Sequence, residues 1–67
     1  MEVDVNKLKK LREERVLSQR ELARTAGLTH TTVWRLENGF KEARPGTIRK
    51  IASVLGVEPK ELVKRKE

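Results

Sequence analysis

Wound as a helix, residues 29 to 38 put Val33 and Leu36 on one face and His30, Thr31, Trp34, Arg35 and Asn38 on the other. The second face combines hydrogen-bond donors, acceptors and an aromatic surface. A helix that enters the major groove of a nucleic-acid duplex needs those three properties near its N-terminal end. Arg35 has a planar fork that can donate twice to guanine O6 and N7, or clasp a phosphate instead. His30 can bond a base edge, lie over the backbone, or remain a solvated residue beside a helix cap. Thr31 and Thr32 suit a thymine methyl or a phosphate. Trp34 suits stacking on a sugar or a thymine methyl, or packing against a neighbouring helix.

Composition narrows the chemistry. The 67 residues carry 16 Lys and Arg against 10 Asp and Glu, a net charge of +6. Such a balance favours a polyanionic partner, nucleic acid first among them. There is no Cys and only one His, so a disulfide scaffold, a cysteine-bound metal and a His pair are all excluded. No metal or cofactor is expected. An enzyme is not expected either, since a single small domain has little room for a closed substrate cavity. The apolar runs are far shorter than the roughly 20 residues of a membrane span. The start, Met1-Glu2-Val3-Asp4, lacks the regions of a signal peptide. The expected location is cytoplasmic.

The reading face must be held by other elements, and helical spacing supplies them. Apolar residues recur at intervals of three and four. The first segment, about 5–15, carries Leu8 and Leu11, with Asp4 or Asn6 as its N-cap. Ser18-Gln19-Arg20-Glu21 has the form of a capping box and opens a helix over about 18–26. Its stripe is Leu22, Ala23 and Ala26, and Gly27 ends it. Thr29 caps the next helix, about 29–38, whose apolar side continues from Val33 and Leu36 to Phe40. Pro45 opens a fourth helix, about 46–55, with Ile48, Ile51, Ala52 and Leu55 inward. Pro59 opens a short fifth helix, about 59–64. Residues 64–67 have no apolar anchor and are expected to fray. The expectation is one all-α domain over 1–67, with its core at about 5–63.

At this point the chain resembles a known family. Leu11-Arg12-Glu13-Glu14-Arg15, Leu17-Ser18-Gln19, Glu21-Leu22-Ala23 and Ala26-Gly27-Leu28-Thr29 carry the likeness. It continues through Val33, Leu36-Glu37-Asn38-Gly39, Pro45, Thr47-Ile48, Ile51-Ala52, Leu55-Gly56-Val57 and Glu61-Leu62. Together they resemble the phage-repressor class of helix-turn-helix, the Cro/repressor or xenobiotic-response-element type, over residues 8 to 62. The resemblance implies a compact five-helix, lambda-repressor-like fold with the helix-turn-helix at helices 2 and 3. It implies a sequence-specific regulator of transcription, a repressor in the first instance, bound to double-stranded DNA as a homodimer.

By position in that family, His30, Thr31, Thr32, Trp34 and Arg35 face base edges. Gln19, Asn38 and Lys41 match backbone contacts, and Arg20 and Arg44 are additions suggested by charge. Arg12 and Glu37 flank apolar stripes, where an unpaired charge is costly; the family commonly pairs these positions. Val54, Val57 and Val63 either complete the core or offer a dimer surface. Two departures stand out. Val16 occupies a position where the family often has Gly or Asn, and Arg44 stands where a Ser or Thr cap is usual. Some relatives with this fold bind proteins instead, so a protein-interaction module or an antitoxin, with a toxin or the transcription machinery as partner, is the alternative.

Overall fold

The structure is a computed structural model, and it describes residues 1–40 and 42–64. Four α-helices follow one another: α1 (Val5–Glu14), α2 (Gln19–Ala26), α3 (His30–Glu37) and α4 (Pro45–Leu55). The short fifth helix expected over about 59–64 is a single 3₁₀ turn, Pro59–Leu62. That segment has Pro at its first position and only four residues before Val63 returns to extended backbone, too few to propagate an α-helix.

Side-chain caps set the helix starts. Asp4, rather than Asn6, caps α1 by accepting from the Lys7 N–H at 3.2 Å. Ser18 and Glu21 close a reciprocal capping box: the Glu21 N–H donates to Ser18 Oγ at 3.0 Å, and the Ser18 N–H donates to Glu21 Oε1 at 2.9 Å. Thr29 Oγ1 accepts from the Thr32 N–H at 3.2 Å. α4 has Arg44 at its cap position with no side-chain bond to the helix.

The helix ends share one device. Left-handed residues follow all four helices: Val16 (φ 54°), Gly27 (72°), Gly39 (101°) and Gly56 (71°). At Gly27 the reversal lets the Leu28 N–H donate to the Ala23 carbonyl and sends the chain directly into α3. Val16 makes the same turn without glycine's freedom. A β-branched residue at positive φ is strained.

The core is formed by Leu8, Leu22, Ala23, Val33, Leu36, Ile48, Ile51, Ala52, Leu55 and Leu62, and it includes Val3. α2 packs on α3 and α4, while α1 packs on α3 and the 3₁₀ turn. Val3 extends the core beyond its expected limit at residue 5. It is placed by two isolated antiparallel bridges, Glu2 to Glu42 and Val3 to Val63. The Asp4 N–H donates to the Leu62 carbonyl, and the Lys64 N–H to the Glu2 carbonyl. Lys64 is therefore held, contrary to the expected fraying; residues 65–67 lie outside the described residues. Phe40 also departs from expectation. α3 has ended at Glu37, so Phe40 leaves the helical stripe and is 63% exposed.

Two outcomes follow from these termini. Val16 is 86% exposed, so Val16→Asn sacrifices little burial and relieves the left-handed strain. It should stabilise the fold by about 1 kcal/mol, seen as a Tm rise of about 4–8 °C in thermal melts; an unchanged Tm would show no strain at that position. The Ser18 backbone N–H, and then its hydroxyl, hold the Glu21 carboxyl below its ordinary value. A lowered folded-state pKa gives stability that is present above the unfolded value and is lost as pH falls through the folded one. The Tm difference between the native chain and Glu21→Gln should therefore be widest near neutrality and shrink on acidification. A gap independent of pH would refute the charged box.

Candidate nucleic-acid interface

The interface is assembled around a buried ion pair. Arg12 Nε donates to Glu37 Oε2 at 2.6 Å, and Arg12 Nη2 to Glu37 Oε1 at 3.0 Å. The Glu37 side chain is 2% exposed and that of Arg12 12%. A third donor, Gln19 Nε2, reaches Glu37 Oε1 at 3.1 Å. Arg12 Nη1 is spent on the Leu17 carbonyl at 2.7 Å, in the turn before α2. The bond to Glu37 outweighs desolvation and raises the Arg12 pKa, so the guanidinium remains charged. One fork thus joins α1, the α1–α2 turn and the end of α3, and α2 joins through Gln19. Among the described residues no buried side-chain nitrogen or oxygen lacks a partner.

With those helices fixed, the exposed face of α3 presents His30, Thr31, Trp34 and Arg35. Trp34 is 46% exposed, so one part of the indole packs on protein and the rest meets solvent. Thr32 is placed differently. It is half-buried, and its hydroxyl lies 2.9 Å from Thr29 Oγ1. It turns towards a groove of about 540 Å³ between α3 and the start of α4, lined also by Arg35, Phe40, Arg44 and Thr47. Phe40 and Thr47 have no place among the expected contacts. Their membership arises from the approach of α4 to α3, which helical spacing alone does not encode.

The flanking residues divide by their existing bonds. Gln19 has both ends of its amide engaged, with Oε1 lying 3.3 Å from His30 Nε2. Asn38 caps the end of α3, its Nδ2 donating to the Trp34 carbonyl at 2.8 Å. Arg20 and Arg44 are exposed. Lys41 lies outside the described residues. Val54, Val57 and Val63 are half-buried and pack against the core.

A helix ended by glycine, a short turn and a second helix with an outward polar face are now located on one rigid support. The helix-turn-helix family matches residues 8–62. The chain belongs to that family. Its helix-turn-helix is formed by α2 and α3. Among solved structures it is similar to the restriction-modification controller protein C.AhdI from Aeromonas hydrophila. The two share 35% identity at a TM-score of 0.80, over 85% of this chain and 86% of that one. It is also similar to part of PhpD solved with cadmium atoms, with 27% identity and a TM-score of 0.84. A variant of hydroxyethylphosphonate dioxygenase gives 27% identity and 0.85. The whole chain is covered in these two matches, but it spans only 14% of those longer chains. A search of curated proteins gives no match. No described helix of this helix-turn-helix chain is long and apolar enough to cross a membrane.

The ion pair makes a firm demand on stability. Removing one member of a buried pair leaves the other charge uncompensated, at a cost of about 3–5 kcal/mol. Glu37→Ala should lower the unfolding free energy from urea melts by that amount at unchanged m-value. The double substitution Arg12→Met with Glu37→Leu should recover much of the loss. An unfolding free energy for Glu37→Ala within about 0.5 kcal/mol of the native value would show that the pair carries no such weight.

Proposed function

We propose that this chain is a sequence-specific repressor that binds double-stranded DNA as a homodimer and reads the major groove with α3. One observation carries the proposal: the solvent-facing side of α3 bears His30, Thr31, Trp34 and Arg35, while Arg12 and Glu37 hold the opposite side rigidly against α1 and α2. In this reading Arg35 donates to a guanine and Trp34 lies on a sugar or thymine methyl. Thr31 contacts a methyl or phosphate, and Thr32 a base or phosphate at the margin of the groove towards α4.

Phosphates fix the register without reading sequence. Gln19 can still offer one amide hydrogen to a phosphate, beside the free N–H groups at the start of α2. Arg20 and Arg44 are exposed cations on either side of α3. Arg44 stands at an α4 N-terminus that no side chain caps, where an anion is favoured. Asn38 and Lys41 complete the contacts beyond α3. The second copy would pack on the exposed parts of Val54, Val57 and Val63. The C.AhdI likeness, which extends over most of both chains, supports a controller-type role.

Selection from random duplex DNA should return a palindrome with half-sites about 34–36 Å apart. Its affinity should fall steeply with salt, with a slope near −0.9 per phosphate neutralised. Arg35→Ala should remove the preference at one base pair, a loss of about 1–3 kcal/mol there. Lys41→Ala should weaken every sequence alike and make the slope shallower by about one unit. An absence of enrichment at low salt would overturn the reading.

A further inference from the structure

Gln19 lies between the buried ion pair and the first residue of α3, so its amide carries information from one to the other. We infer that Glu37 and Gln19 lock His30 as an Nε2–H imidazole whose Nδ1 accepts a hydrogen bond from a base amine, adenine N6 or cytosine N4, in the major groove. This rests on the DNA-binding reading above and identifies the chemical group that His30 recognises.

The chain of bonds permits only one sense. A carboxylate accepts and cannot donate. Glu37 Oε1 already receives Arg12 Nη2, and the Gln19 terminus lying 3.1 Å away must be the NH₂ end. Opposite placement would set two acceptor oxygens against each other. The amide is planar, so its Oε1 occupies the other corner, 3.3 Å from His30 Nε2. That oxygen has no hydrogen, and the proton between the two atoms must therefore sit on Nε2. A neutral imidazole with a proton on one nitrogen accepts at the other. Nδ1 is that acceptor, and no described residue bonds it.

The groove offers three kinds of partner, and two are mismatched. Guanine O6 and N7, and thymine O4, only accept, as do phosphate oxygens. Facing an acceptor Nδ1 they would repel. The exocyclic amines of adenine and cytosine donate and fit. Reversing the amide would reverse this choice, presenting an Nδ1–H that suits guanine or thymine. Glu37 and Gln19 are in this sense positioning residues: they touch no base through these bonds, yet they set which nitrogen of His30 donates.

His30 is the only histidine, so its two ring nitrogens give an unambiguous ¹⁵N signature. At about pH 8.5, above the ordinary imidazole range, the free protein should show a protonated Nε2 slowed in exchange and an unprotonated Nδ1. Gln19→Leu should lose the slowed exchange. A protonated Nδ1 in the native chain would overturn the lock without reference to DNA. The base contact is tested on the selected duplex, at the base pair whose preference disappears in His30→Ala. Replacing its adenine by purine, or its cytosine by 2-pyrimidinone, deletes the amine. Native affinity should fall roughly three- to tenfold, beyond the loss shown by His30→Ala, which reports the cost to base pairing. Gln19→Leu should be no more sensitive than His30→Ala. If Gln19 acts only as a phosphate contact, its variant will bind every sequence more weakly but keep full sensitivity to the amine, which overturns the inference. So does a native chain indifferent to the amine but weakened by 7-deazapurines, which lack the N7 acceptor. These arms in the native chain and His30→Ala do not require the Gln19 variant to fold. Failure of the native chain to enrich any sequence overturns the DNA reading itself, and is distinct from all of these outcomes.

Discussion

A carboxylate almost wholly withdrawn from water has to find donors inside the protein, and Glu37 obtains three from two different helices. Arg12 reaches it from the last turn of α1, and Gln19 from the first turn of α2. The same guanidinium also holds the Leu17 carbonyl. Burying each ion costs several kcal/mol, so such a pair adds little stability over an apolar replacement. Its value lies in geometry. The apolar contacts among α1, α2 and α3 tolerate small slides, whereas a two-pronged bond at 2.6 and 3.0 Å does not. The angle at which α3 presents its outer face therefore depends on a charge pair on its inner side.

The surplus positive charge divides along the same line. Arg12 is consumed within the fold. Lys7 and Lys64 lie near Glu61 and Glu2, at 3.9 and 4.0 Å. These exposed contacts tie α1 and the chain's extended ends loosely together and contribute little to stability. Among the described residues, Arg20, Arg35 and Arg44 around α3 make no ion pair, and neither do Lys9, Lys10, Arg24, Arg49, Lys50 and Lys60 elsewhere. Unpaired cations are thus spread over much of the surface, and three of them stand beside the helix with the outward polar face. Net charge gives attraction to any duplex; these three are the ones within reach of whatever that face meets.

Local chemistry was legible in the sequence, and long-range juxtaposition was less so. The Ser18–Glu21 box, the Gly27 turn, the Thr29 cap and the inward stripes of α2 and α4 are written within spans of a few residues, and spacing suffices to find them. The N-cap of α1 stayed open between Asp4 and Asn6, because both are suitable types and only the chain path chooses. The burial of Val3 is not legible locally, since it depends on bridges to residues some forty and sixty positions away. Phe40 fits the helical period of Val33 and Leu36, yet α3 ends at Glu37, and spacing alone does not mark that end. The Gln19 bonds to Glu37 and His30 span 18 and 11 residues. No local pattern encodes them; they depend on how α2 packs against α3 in space.

Rigidity is distributed unevenly over the reading face, and this has a consequence for recognition. Immobilising a long side chain on binding costs about 0.5–1.5 kcal/mol. The Arg35 side chain makes no hydrogen bond or ion pair among the described residues, and in the proposed reading it would bear that cost on meeting a base. Gln19 and His30 are already bonded to one another and to the ion pair, so much of their ordering is complete before DNA arrives. A pre-ordered acceptor cannot adapt to a mismatched base by rotating, whereas an unattached guanidinium can move to a phosphate. In the proposed reading, discrimination by His30 should therefore be sharp at a small gain in affinity, while Arg35 would contribute more affinity with greater tolerance. In a domain this small, an internal ion pair that orders side chains on its surface does work that a larger protein could assign to additional secondary structure.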